Sequence, residues 1–566
     1  MSTMRCNRLF AAQPATTIGL ISLLMFPAGS MAQTAAPAAS QVPGPQCNGT
    51  KLLDPFKGSL AGPNLPPGVL PVAAADKDKI LKSGLPCQEN VSPGAQGDPA
   101  GNETSGLENL QRGFDFYSWR TFIALNSPAD GTAIDSEKAQ ADTPTRWEDM
   151  NNFKQLLDVM LPPGVPPPVW PADMKGMTDE RERLLPEECR KLLNDRPDLM
   201  KDAPNRIIVK MIEESFNEPF KTGPLIDQQG HYAIFDILMN RQMFEYIAVN
   251  HLNTKAGQSE NADLAVDFPA GQNDQPAQAG KPAQPAAFGS FMLKVSWKIL
   301  TPEEIASKTF HMRRALVLMP PGEKRPCLDR TLGLIGFHAV HKTVGRPQWI
   351  WTSFEHVKNV PDRNEVAANK LGGSYNFFSV KCKPDCPAEN ATPPFPWDPD
   401  PALELRFRKD DSFKSQIVRE TPVTDAARNM NAVFHSMLPA NSVWQNYMLL
   451  STQWPSAFAH CTSLRSQNVP DPRTDFVKQP DMTCSPAPTY LANSTLETYS
   501  QADKKPDSKA DSMADLRDSA AVPLATSSCI ACHSNAVGFQ RTASNREGGR
   551  PNLNQSDFTF MLEKAQ

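Results

Sequence analysis

The spacing of polar and apolar positions changes period several times along this chain, and each change predicts an element. Residues 33 to about 106 are rich in Pro, Ala, Gly and Asn and show little period, which reads as an extended lead-in. Leu107, Leu110, Phe114, Tyr117 and Leu125 then recur at helical spacing and predict a helix through about Asn126. A second helix is expected from Pro144, capped by Thr143 and carrying Trp147, Met150, Leu157 and Met160, until the prolines of 162–171 break it. Phe235, Leu238, Met239, Tyr246 and Ile247 predict another helix ending near Asn250. The stretch 256–288 is polar and rich in Gln, Ala and Pro, as a surface insertion would be.

The period then becomes two. Phe291, Leu293, Val295, Trp297 and Ile299 alternate with Lys294, Ser296 and Lys298, which predicts a half-buried strand. Thr301-Pro302-Glu303-Glu304 follows as a capping box with Pro at the first helical position. Further strands are expected over 314–319, 332–341 and 348–355, and their short connections favour an antiparallel sheet spanning about 290–356. Helical period returns from Val423 to Met437, whereas 444–454, with Trp444, Tyr447 and Trp454, fits a strand or a helix. The expected class is α+β. Residues 107–437 are expected to form an α+β domain interrupted by the insertion, and 438–566 a mostly helical C-terminal region.

Composition narrows the setting. The chain has 566 residues, 21% charged, with a formal net charge of −5, which gives no electrostatic case for nucleic acid or an anionic membrane. Arg5 and Arg8 precede an apolar run from Ile18 to Phe26 and a small-x-small site at Ser30-Met31-Ala32. That pattern predicts a signal peptide over 1–32, no stable membrane anchor after cleavage, and export; an uncleaved anchor is the alternative. Of eleven cysteines, Cys6 leaves with the signal peptide. Cys47, Cys87, Cys189, Cys327, Cys382, Cys386, Cys461 and Cys484 are an even set for disulfides in an oxidising compartment. Sequence proximity suggests Cys382–Cys386 and Cys461–Cys484, and some of the eight as buried thiols is the alternative.

The remaining pair carries the chemistry. Cys529-Ile530-Ala531-Cys532-His533 is a C-x-x-C-H motif, the attachment signature of one covalent haem c. Two thiols on one turn can add across the two vinyl groups of a porphyrin, and the adjacent His supplies the proximal axial ligand. A local disulfide and a zinc site compete, but zinc needs about four ligands and no Cys or His follows His533. With export, haem c predicts a bacterial periplasm. Only 33 residues follow His533, so the haem pocket is expected to borrow other parts of the chain. His341 or Met561 are the candidate distal ligands, then His338, with His435 and His460 weaker. His338 and His341 should point to opposite sides of one strand, His338 with Leu332 and Leu334. Trp349, Trp351, Ser353 and Glu355 share a strand face that either floors a substrate pocket or is one side of a packed sheet.

The runs Leu334 to Thr343 and Trp349 to Pro361, together with Trp119 to Asn126, Leu491 to Thr498 and the C-x-x-C-H motif, resemble a group of exported bacterial cytochrome c family proteins. The resemblance spans roughly Trp119 to Gln566 and implies a mono-haem periplasmic protein whose non-haem part has no assigned chemistry. Two functions remain in view. One is electron transfer or a redox accessory role with a redox protein partner. The other is a haem c oxidoreductase, peroxidase-like or dehydrogenase-like, with a small-molecule substrate site in the N-terminal part. No G-x-G-x-x-G, Walker, G-x-S-x-G or H-E-x-x-H motif suggests another chemistry. Haem as a structural staple in a binding module is a third reading.

Overall fold

In the computed structural model, the described residues are 74–87, 103–149, 151–161, 222–261, 266–318, 327–382, 386–397, 413–455, 486–501, 528–536 and 556–566, apart from scattered single positions. The backbone of 207–210 and a few isolated residues are described as well. The signal peptide, Cys461, Cys484 and His460 lie outside these residues.

The architecture is α+β, built on a mostly antiparallel sheet of nine strands among the described residues. The strands are β1 (Phe153–Gln155), β2 (Ile207–Lys210), β3 (Ile234–Asn240), β4 (Phe291–Ile299), β5 (Met312–Leu318), β6 (Cys327–Thr343), β7 (Arg346–His356), β8 (Tyr447–Pro455) and β9 (Pro486–Ala487). The order is β1-β3-β4-β6-β7-β8-β9; β5 lies along the first half of β6, and β2 runs parallel to β5. The helices are α1 (Ala74–Leu81), α2 (Glu103–Asn126), α3 (Arg241–Val249), α4 (Lys255–Glu260), α5 (Pro302–Ser307), α6 (Arg363–Ala367), α7 (Asp425–Met437) and α8 (Cys529–His533).

Both faces of the sheet are covered. On one face α2 and α7 pack over β8 and its neighbours, and Trp119 of α2 stacks on Phe434 of α7 at 4.9 Å. Trp119 also donates its indole N–H to Asn431 at 2.9 Å, so the buried ring leaves no orphan donor. On the other face a second core joins α3, β4, β6, β7, Ile530 of α8 and the C-terminal residues Phe558, Met561 and Leu562. Beside this second core, residues 491–501 form a largely buried segment, rich in polar side chains, across β4, β6 and β7. Its approach is so close that a Cβ on Gly336 would meet Thr495 Oγ1 at 2.2 Å and Ser296 Oγ at 2.4 Å.

Several expectations change in detail. β4 is the predicted strand, but Ser296 and Lys298 are buried because 491–501 and α5 cover the face that polar alternation assigns to solvent. On β6, Ser296 stands opposite Gly336 and Trp297 opposite Leu334, so Ile335 is an extra, bulged residue. The bulge reverses the alternation. His338 therefore shares its face with Gly336 and Val340, and Leu332 and Leu334 lie on the other face with Phe337. No helix spans 144–160. Thr145 bridges Pro128, β1 follows, and 156–158 is one tight helical turn. Of the four expected apolar positions, Trp147 and Met160 are buried, Leu157 is half-buried and Met150 lies outside the described residues; Leu156 and Val159 are buried beside them. Glu148, however, accepts from Thr145 N, and Asp149 from Asn151 N, local bonds that compete with a helix. Of the helix expected over 235–250, the first half is β3 and the second is α3.

The lead-in contains α1, whose Ile80 and Leu81 join the core. The insertion contains α4 and a narrow two-stranded arm bridged at Gln272/Ala287, Gln275/Gln284 and Gln278/Lys281. β8 lies beyond residue 437 yet pairs with β7, so the two expected regions share one sheet. The described part of 438–566 carries β8, β9, α8 and short helical turns, which makes it less helical than expected.

Disulfides join Cys382 to Cys386, as expected, and Cys189 to Cys327, which proximity in sequence did not suggest. Cys87 is disulfide-bonded too. Such bonds fit an exported protein. Among the described residues no helix is long and apolar enough to cross a membrane.

Burial in the sheet interior lowers the His341 pKa from 6.5 to about 3. The sign follows directly. Between those values the unfolded chain binds a proton that the folded chain refuses, so this histidine's contribution falls as pH drops below its ordinary value. Asp115 and Glu218, both raised to about 7 by burial, act in the opposite direction, so a difference measurement is needed. His341→Gln keeps an acceptor for Tyr117 but does not titrate. From pH 7 to pH 5 the wild type should lose about 2 kcal/mol relative to this variant in urea unfolding. A gap that stays constant with pH would show that His341 titrates normally.

Candidate functional site

α8 has five residues, too few to persist alone. Gln453 of β8 holds its first turn: Oε1 accepts from Ile530 N at 2.8 Å and from Ser528 Oγ at 3.2 Å. The other end of the same amide donates to Pro488 O at 2.7 Å. A sheet side chain thus acts as a cap, satisfying donors that the short helix leaves open. Gln453 pairs across the ladder with Trp351 of β7, so α8 rests on β7 and β8.

Cys529 and Cys532 lie one turn apart on α8, and His533 follows directly. The Cys529 thiol is free, so the two do not form a disulfide with each other. Burial, then the charge of Glu497, pushes the Cys529 thiol well above its ordinary range and Cys532 up to about 12. Burial therefore favours the protonated form of both thiols. Burial lowers His533 to about 4, so its imidazole is neutral at pH 7. Its Nδ1–H donates to the Phe558 carbonyl at 2.9 Å. The Trp351 and Phe560 rings lie 4.4 and 5.0 Å from the imidazole. Among the described residues no hydrogen bond occupies Nε2. A zinc site gains no support, because no group of three or more His, Cys, Asp or Glu assembles among them.

The carbonyl that orients His533 belongs to an unusual backbone. Asp557 and Phe558 have φ of 50° and 64°, left-handed values at two consecutive non-glycine residues. Such residues cost of order 1–3 kcal/mol each and persist where their surroundings fix them. Here the fixing groups are visible. Asp557 Oδ2 accepts from Lys342 Nζ at 2.5 Å and from Phe268 N at 2.7 Å. Lys342 and Asp557 are both buried, and Lys342 also donates to Asp267 at 2.7 Å. The Lys342 ammonium lies 5.9 Å from the ring of Trp349, another buried residue with positive φ.

The other candidate residues fall into place around this centre. His338 is on the sheet face that bears α8, and its Nε2–H donates to Glu497 at 2.9 and 3.0 Å. Burial works to raise the Glu497 pKa, but the charge and hydrogen bond of His338, with Lys294, hold it at about 2. His341 is not brought to His533. It lies on the opposite face, sharing a 2.5 Å hydrogen bond with Tyr117 and packing 4.8 Å from Phe291. Met561 is buried in the second core, three residues beyond Phe558 on the segment that holds Nδ1. His435 and His356 bond to the carbonyls of Tyr447 and Thr309. Trp349, Trp351, Ser353 and Glu355 do share a face, but it is a packed one. Glu355 is fully buried, pairs with Arg419, and accepts from Ser494 N and Oγ.

Cys529, Cys532 and His533, which the sequence singles out, lie together on α8. The sequence alone does not point to Gln453, Lys342, Asp557 or the Phe558 carbonyl, whose roles depend on contacts between distant segments. The one local hint was Lys at supposedly solvent-facing strand positions, which the fold buries. Comparison with protein families, curated proteins and solved structures gives no match for this chain.

Proposed function

We propose that this chain is a periplasmic c-type cytochrome with one covalent haem, acting in electron transfer or as a redox accessory to a protein partner. The observation that carries this reading is the pairing at His533. Its Nδ1–H is fixed by a backbone carbonyl, and its Nε2 has no hydrogen bond among the described residues, beside two thiols on the same short helix. That is the orientation in which an imidazole serves a metal, since the bond at one ring nitrogen fixes the tautomer and direction of the other. The residues fit the group. Cys529 and Cys532 would hold it by thioethers, and His533 would supply the axial nitrogen. When bound, haem c supplies a reversible one-electron change at iron. Trp351 and Phe560 pack against the imidazole, and desolvation favours its neutral form. The disulfides and the signal-peptide pattern support the compartment.

A second reading, a haem c oxidoreductase of peroxidase or dehydrogenase type, is favoured by one observation. Of the candidate distal ligands, His341 lies across the sheet, His338 already serves Glu497, and Met561 sits on the segment behind Nδ1. Visible spectra of the oxidised and reduced protein, with and without carbon monoxide, separate the readings. A low-spin spectrum unchanged by carbon monoxide is expected for the carrier. High-spin reduced iron that binds carbon monoxide would transfer the assignment to the oxidoreductase. No c-type spectrum after expression with haem-attachment machinery would overturn both.

A further inference from the structure

We infer that Lys342 and Asp557 are positioning residues: their buried ion pair clamps the C-terminal segment so that the Phe558 carbonyl holds the proximal His533. This deepens the proposed haem reading and rests on it. Three observations join in one chain of contacts. Lys342 leaves β6 on the face that bears the second core and donates to Asp557 Oδ2. The same oxygen accepts from Phe268 N, so Asp557 is bound from two directions. The adjacent residue, itself in the left-handed region, presents its carbonyl to His533 Nδ1 at 2.9 Å.

The rest of the segment is fastened independently. Ser556 N donates to Ala536 O, Gln258 Nε2 to Leu562 O, and Lys255 N to Gln566 O. The ends of the segment are therefore held without Lys342. What the ion pair adds is the local turn at 557–558, the part that reaches the imidazole. An acceptor on Nδ1–H makes an imidazole a stronger donor at its other nitrogen, which stabilises the more positive oxidation state of a bound iron. Groups of this kind change affinity or activity at a metal centre by about 10–100-fold.

The test uses the full-length holoprotein, purified after expression with haem-attachment machinery. Lys342→Met keeps most of the side-chain volume and removes the charge. It should retain covalent haem, yet at a fixed ambient potential its reduced-to-oxidised ratio should rise about tenfold, equivalent to 59 mV for a one-electron couple. Lys342→Arg keeps the charge and should stay near the wild type. If Lys342→Met does not accumulate, Asp557→Asn, which keeps the volume and one acceptor oxygen, should shift the ratio in the same direction by less. A covalent haem whose ratio moves less than twofold in the variant that accumulates would overturn the inference and leave the haem reading intact. Wild-type protein without covalent haem would instead remove the haem reading itself.

Discussion

Replacing both Cys529 and Cys532 by serine is expected to leave the protein without any acid-stable haem. A thioether needs the sulfur, and a serine hydroxyl does not add to a vinyl group under the same conditions. Each single variant should keep one link at most. The structure makes the double substitution a clean test. The two cysteines do not cross-link each other, so the change removes no disulfide between them. Serine is close in size, and the cap from Gln453 engages Ile530 N and Ser528 Oγ, neither of which is altered. Acidified-acetone extraction and haem staining of a denaturing gel provide the measurement. Full staining of the double variant would falsify the assignment of the motif.

The second large effect is on stability. Arg419→Met should destabilise the protein by about 3–5 kcal/mol, because it strands a charge that the fold has buried. Arg419 is 1% exposed at its side chain and Glu355 0%. The guanidinium bridges Glu355 to Asp362, which receives Nε at 2.6 Å. Without it, Glu355 keeps only the N–H and hydroxyl of Ser494 in a site closed to water. The double variant Arg419→Met/Glu355→Met should recover most of the loss, since a buried pair is often replaceable by apolar groups of similar volume. Urea unfolding of the three proteins at one pH decides the matter. A single-variant loss below about 1 kcal/mol is the value for an exposed pair, and would contradict the burial.

These effects sit at different depths of legibility. The motif at Cys529 to His533 is readable because the requirement is local: two thiols and an imidazole on one turn. β4 and the capping box at Thr301 to Glu304 are readable for the same reason, and the structure has both where the pattern places them. Ile335 shows where such reading stops. Its sequence carries no mark of a bulge, yet one extra residue moves His338 to the face that bears α8 and separates it from Leu332 and Leu334. The polar positions of β4 predict solvent because nothing in that strand announces the distant segment 491–501 that covers them. The buried ion pairs Arg419–Glu355 and Lys342–Asp557 join residues 64 and 215 positions apart, beyond the reach of any periodicity.

The long reach of these contacts bears on the order in which the chain can assemble. Gln111 of α2 bonds to Thr452 of β8, 341 positions away. A chain that emerges N-terminus first cannot close the core around α2 until β8 has been made, and pairings of this span are slow to form. α8 comes later still and docks on strands that must already exist. The two thiols, whose protonated form burial favours, would on the proposed reading meet the haem-attachment machinery before α8 docks. On the proposed reading, haem attachment and docking compete in time, and a variant that docks α8 faster would emerge with less haem rather than more.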